Sequence, residues 1–146
     1  MSQPITTNIL RRQSKMIFVD TSAILSVIVT NDINHERAVQ CWRNLLEEGQ
    51  IALTNNYVLV ESTVIIQKRL GLSRVRDFQE NILPFLTTEW IDEKQHSAAL
   101  DEVLSANRRQ LSLVDCSGFE TMRRLEIKKV FTFDSHFRER GFEIIP

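Results

Sequence analysis

The sequence predicts an α/β fold: a central, mostly parallel five-stranded sheet in a three-layer α/β/α arrangement. Three observations carry this expectation. Ile17-Phe18-Val19 is a short run without a polar residue, the pattern of a strand buried on both faces. Similar short runs alternate along the chain with segments of helical periodicity. The 146 residues, 42% hydrophobic and 25% charged, suffice for one soluble domain with a substantial core.

Residues 1–15 (MSQPITTNILRRQSK) are polar and end in Arg11, Arg12 and Lys15. They read as a basic tail, or as a start assigned too early, ahead of a domain spanning 16–146. They lack the apolar core of a signal peptide, and no later apolar run reaches membrane-spanning length, so a cytoplasmic protein is expected. Cys41 and Cys116 form no motif and read as free, buried thiols.

After the first strand, Thr21 and Ser22 open a helix that breaks at Asn31-Asp32. Asn34 offers an N-cap for HERAVQCWRNLLEEG, whose Ala38, Cys41, Trp42, Leu45 and Leu46 form one stripe, with Gly49 as the stop. Residues 51–54 form a second strand, and a helix runs from Asn56 to Gly71. Ser73 opens another that ends near Pro84, and a third strand is expected over 87–91. Residues 92–109 read as an amphipathic helix carrying Ala98, Ala99, Leu100, Val103 and Leu104. Ser112 opens LVDCSGFETMRRLE; KVFTF (129–133) and residues 142–145 complete the strands.

Four carboxylates occupy conspicuous places. Asp20 follows the first strand, where open α/β sheets place ligands, although it could simply cap the next helix. Glu61 interrupts the apolar run YVLVESTVII, where an unpaired buried carboxylate is costly unless an ion pair with a later arginine absorbs it. Asp115 completes a capping-box pattern with Ser112, and Asp134 could cap the turn that follows it. Two strand ends, one helix face and one helix start can nevertheless converge on one rim of a parallel sheet.

Convergence would demand a cation, because two carboxylates about 5 Å apart repel by roughly 3 kcal/mol at an effective dielectric near 20. Oxygen-only ligands select Mg²⁺ or Mn²⁺, and no Cys/His spacing supports zinc, with His35, His96 and His136 scattered. Such a site serves phosphate chemistry, the ion activating water and neutralising charge at phosphorus. Thr21, Ser22 and Thr132 could steady the carboxylates through their hydroxyls, or merely satisfy backbone at turns. Net charge is −1, which by itself indicates no nucleic-acid partner. The basic residues do cluster, at Lys68, Arg69, Arg74 and Arg76 and again at Arg123, Arg124, Lys128 and Lys129. Solvated helix faces account for many such clusters.

Four blocks in this order, MIFVDTSAIL, NNYVLVESTVIIQKRLG, LSLVDCSGFETM and VFTFDSHFRERGFEII, resemble PIN-domain proteins, most closely the VapC-type toxin endoribonucleases. The resemblance covers Met16 to Pro146. It implies a PIN-like fold and cleavage of single-stranded RNA. It also implies that Asp20, Glu61, Asp115 and Asp134 are both metal ligands and catalytic residues for Mg²⁺ or Mn²⁺, with Ser22 and Thr132 supporting them. A homodimer and a small silencing antitoxin are implied too. Some relatives carry a further acid two residues after the last aspartate; this chain has His136 there. RNA contacts are expected at Lys68, Arg69, Arg74, Arg76, Arg123 and Arg124.

Three other readings are a catalytically silent PIN-like scaffold that binds RNA or protein, a PIN nuclease outside a toxin–antitoxin system, and a phosphatase of the haloacid-dehalogenase type. The phosphatase needs a second aspartate where Ser22 stands.

Overall fold

The computed structural model describes residue 11 and residues 15–146; the proposed tail otherwise lies outside the described residues. Among these, β1 (Met16–Val19), β2 (Ile51–Asn55), β3 (Leu86–Glu89), β4 (Lys129–Phe131) and β5 (Glu143–Ile145) form one sheet of order β3-β2-β1-β4-β5. Every pairing is parallel, so the expected "mostly parallel" sheet is wholly parallel. Helices are α1 (Thr21–Ile28), α2 (His35–Glu47), α3 (Asn56–Leu70), α4 (Leu72–Asn81), α5 (Glu93–Ala106), α6 (Leu113–Arg124) and the short α7 (His136–Glu139). None is long and apolar enough to cross a membrane.

The strand order explains the position of the site. The chain builds outward from β1 through β2 to β3, then crosses to β1's other side for β4 and β5. The carboxyl ends of β1 and β4 therefore flank the point where winding changes direction, the place open α/β sheets leave a crevice. Phe18, paired with Leu53 on one side and Val130 on the other, is fully buried beneath it. Burial on both faces is why β1 reads as a continuous apolar run.

Element ends differ from expectation, at the third and fourth strands because side chains capture backbone amides. The third strand stops at Glu89 rather than reaching 91, because the Ile91 N–H donates to Asn56 Oδ1 at 2.7 Å. The fourth stops at Phe131 rather than 133, because the Phe133 N–H turns to Ser22 Oγ and the Asp134 N–H to Thr132 Oγ1. The fifth begins one residue late, at Glu143, the Phe142 N–H being bonded to Phe137 O. α5 ends at Ala106 because Asn107 turns left-handed at φ 51°. The segment expected to be one helix from Ser73 to Phe85 is α4 followed by a 3₁₀ turn at Leu83–Phe85.

Two packing expectations fail. Of the stripe assigned to α5, Ala99 is buried and Val103 half-buried, whereas Leu100 and Leu104 are exposed. α5 rests on α6, where Glu102 pairs with Arg123, and leaves these leucines outward. Asn34 stands before α2, but its side chain makes no cap bond; its backbone N–H instead donates to Asp32 Oδ1. Both cysteines are free and buried as expected, and burial pushes each thiol up to about 11.

Candidate active site

The site is assembled from the carboxyl ends of β1 and β4, the second turn of α3 and the first turn of α6. Asp20 follows β1 and is 4% exposed. It precedes α1, yet its side chain makes no cap hydrogen bond. Its Oδ2 instead accepts from Ser22 Oγ at 3.0 Å and from Thr132 Oγ1 at 2.9 Å. The capping alternative for Asp20 is thereby displaced: the carboxylate faces across the sheet rather than along its own helix.

Thr132 joins the two strand ends. Its hydroxyl donates to Asp20 and accepts the Asp134 N–H at 3.0 Å. Asp134 Oδ1 in turn accepts the His136 N–H at 2.9 Å, so Asp134 does form the local turn its sequence suggests while staying in the site. Asp115 likewise keeps its capping role, exchanging 3.0 Å bonds with Ser112 in both directions, and this fixes its carboxylate at the α6 start.

What holds α6 in place is a buried polar lattice. Asn55, fully buried at the end of β2, caps α3 by accepting the Val58 N–H, while its amide donates to Ser117 and Thr121 of α6. Gly118 lets α6 settle on the sheet: a Cβ there would meet Phe18 at 3.0 Å and Phe137 at 3.3 Å.

Electrostatics mark the same group. Burial raises the Asp20 pKa from 3.8 to about 6; the Asp115 charge adds to this, while bonds from Thr132, Ser22 and the Thr21 backbone resist it. Burial also raises Glu61, with the Asp115 charge adding and the Thr21 hydroxyl opposing. That hydroxyl is buried and makes no hydrogen bond of regular geometry among the described residues, so it influences Glu61 by proximity alone. Asp115 is raised by burial and by Asp134, against the Ser112 bonds and His136. Asp115 is thus close enough to Asp20, Glu61 and Asp134 to feel each charge. Glu61 is half-buried and forms no ion pair among the described residues, so the arginine-partner alternative falls.

The tightest grouping was not foreseen. One ligand atom each from Asp115, Asp134 and His136 lie within 4.8 Å of one another. His136 is therefore not scattered but part of the acidic cluster, brought there by the turn at Asp134. The signal lay in its spacing, two residues after the last aspartate. Asp20 is tied to this group through Thr132 and Asp134, and Glu61 is near enough to be raised in part by the Asp115 charge.

The basic residues divide. Arg123 pairs with Glu102, and Arg124 with Glu89 and Glu120. Lys68 and Arg69 are exposed in the last turn of α3, and Arg76 is exposed on α4; among the described residues none of the three forms an ion pair, while Arg74 pairs loosely with Asp77 at 3.7 Å. Lys128 and Lys129 lie at the start of β4, the opposite rim from Asp134. A groove of about 430 Å³ lined by Ile17, Lys129 and Ile145 contains none of the four carboxylates.

Residues 17–143 match the family model of the PIN domain. The chain is 27% identical over 133 residues to the 23S rRNA-specific endonuclease VapC20 of Mycobacterium tuberculosis, covering 90% of this chain and 99% of the relative. The crystal structure of that bacterium's VapC20, described as a Sarcin-Ricin loop cleaving toxin, superposes with a TM-score of 0.77 at 25% identity, over 89% of this chain and 99% of that one. FitAcB from Neisseria gonorrhoeae shares the fold with a TM-score of 0.66 at 17% identity, over 90% of this chain and 97% of that one.

Proposed function

The chain belongs to the PIN-domain family, and from that premise we propose that it is a divalent-metal-dependent endoribonuclease of the VapC type, the toxin of a toxin–antitoxin pair. What supports this reading is that the Thr132 hydroxyl joins Asp20 to Asp134, that Asp134 clusters with Asp115 and His136 at the winding reversal of the sheet, and that Glu61 is raised in part by the Asp115 charge. The residues fit a hard divalent cation. Three of the four carboxylates are pushed toward their neutral forms by burial and mutual repulsion, a penalty that a bound cation removes.

Asp20, Glu61, Asp115 and Asp134 would hold Mg²⁺ or Mn²⁺, and the ion would supply activation of water and neutralisation of charge at the scissile phosphate. The chain's own residues do the rest. Thr132 and Ser22 hold Asp20 in one orientation, so the carboxylate needs no rearrangement when a cation arrives. Ser112 does the same for Asp115. Lys68 lies seven residues, two helical turns, beyond Glu61 on the same side of α3, placed to attract the RNA backbone. Arg69, Arg74 and Arg76 extend this surface, whereas Arg123 and Arg124 are already neutralised by glutamates and contribute less.

The likeness to VapC20 supports ribosomal RNA as the first substrate to test, a small protein antitoxin as the partner and the cytoplasm as the place of action. Exposed Val60 and Val64 on α3, with Leu100 and Leu104 on α5, support a homodimer by offering apolar surface to cover.

The deciding experiment incubates the purified protein with single-stranded and ribosomal RNA and maps the ends. Cleavage is expected with Mg²⁺ or Mn²⁺, is lost on chelation and is lost in Asp20→Asn. RNA binding that is equal in all three conditions, without new ends, would identify a silent scaffold instead.

A further inference from the structure

We propose that His136 is itself a ligand of the divalent ion, giving this site a nitrogen donor and a preference for Mn²⁺ over Mg²⁺. The inference rests on the metal-binding reading of the acidic cluster and adds to it a donor that is not a carboxylate. His136 Nδ1 lies 3.1 Å from Asp134 Oδ1 and 3.8 Å from Asp115 Oδ2. Nδ1 is sealed from solvent and, among the described residues, makes no hydrogen bond of regular geometry; its contacts with Asp134 and Asp115 are those of an ion pair that forms only when the ring is protonated. With the ring neutral and its proton on Nε2, the Nδ1 lone pair and the two carboxylates converge on one point, three donors that a divalent cation can take in place of the proton.

The spacing agrees. In an octahedral shell with bonds of about 2.1 Å, neighbouring donors sit about 3 Å apart. Nδ1 and Asp134 Oδ1 already have that separation, and the backbone bond from His136 N to Asp134 Oδ1 holds the two side chains together. The other two histidines are engaged elsewhere: His35 Nδ1 bonds to the Ser26 carbonyl and His96 Nδ1 to the Tyr57 hydroxyl. An imidazole donor favours a first-row transition ion over Mg²⁺, which prefers an all-oxygen shell. Of the two ions considered, that ion is Mn²⁺.

Pulsed electron paramagnetic resonance of Mn²⁺-loaded protein reads this directly. Wild type is expected to show ¹⁴N modulation on Mn²⁺, changed by ¹⁵N-histidine labelling of the unaltered chain, so the result does not depend on a variant's folding. His136→Gln should still bind Mn²⁺ but lose the modulation, and the Mn²⁺-to-Mg²⁺ affinity ratio, measured by competition, should fall about tenfold. Mn²⁺ binding that is lost in Asp115→Asn, but shows no nitrogen modulation in wild type, overturns the histidine ligand and leaves the carboxylate site standing. Absence of Mn²⁺ binding, or binding unaffected by both Asp20→Asn and Asp115→Asn, overturns the metal site along with it.

Discussion

The Thr132 hydroxyl donates to Asp20 Oδ2 at 2.9 Å across 112 residues of sequence, while accepting the Asp134 N–H at 3.0 Å. One hydroxyl thus sets the distance between the acids that end two neighbouring strands. Thr132→Val should strand the Asp134 amide and remove a donor from Asp20. We expect a stability loss of about 1–3 kcal/mol in urea unfolding. Cleavage should fall about 10–100-fold, the usual cost of losing a group that orients a metal ligand. Thr132→Ser should recover most of both; equal activity in all three proteins would remove Thr132 from the site.

Asp20 makes the metal-free fold sensitive to pH. Its folded pKa, about 6, lies above the 3.8 of an unperturbed aspartate, so the folded state binds this proton more tightly. The stabilisation is complete below about pH 4 and is lost as pH rises through 6, amounting to about 3 kcal/mol. Asp20→Asn cannot lose it. In chelator, the variant's stability should therefore gain on wild type between pH 4 and pH 6.5 and hold level above; a constant difference across that range would contradict the burial argument.

Gly118 should be intolerant of a methyl group. The added Cβ of Gly118→Ala would press on the buried rings of Phe18 and Phe137. Crowding of this kind costs about 1–3 kcal/mol, only partly offset by alanine's helix propensity of about 1 kcal/mol. A lower melting temperature and slower cleavage are expected together, because relief comes by lifting α6 and with it Asp115. A stabilised variant of full activity would show that the contact is slack.

Ion pairing should decide which basic residues meet RNA. Lys68→Ala should weaken binding and reduce the salt-dependence slope by about 1. Arg123→Ala should change neither, its guanidinium being held by both Glu102 oxygens at 3.0 and 3.1 Å. Titrations at several salt concentrations separate the two, and the reverse ranking would place the RNA over α6 rather than α3.

Much of this protein is written in short-range pattern. Ile17 to Val19 had to be a doubly buried strand, Ser112 and Asp115 had to begin a helix, and each strand-ending aspartate stood where a parallel sheet leaves a crevice. These follow from spacing within a few residues, which the backbone converts into geometry by local rules. Tertiary structure alone decided the remainder. Whether Asp20 capped α1 or faced Thr132 depended on a residue 112 positions away. On α5 Ala99 is buried while Leu100 and Leu104 face outward, a choice made by how the helix packs and not by its apolar stripe. His136 joined the acids because the Asp134 turn folds it back against Asp115, and Asp115 is there because Gly118 admits α6 so close to Phe18. Periodicity fixes which way a side chain leaves its own element, but the partner it finds is set by how separate elements close-pack, and no local spacing encodes that.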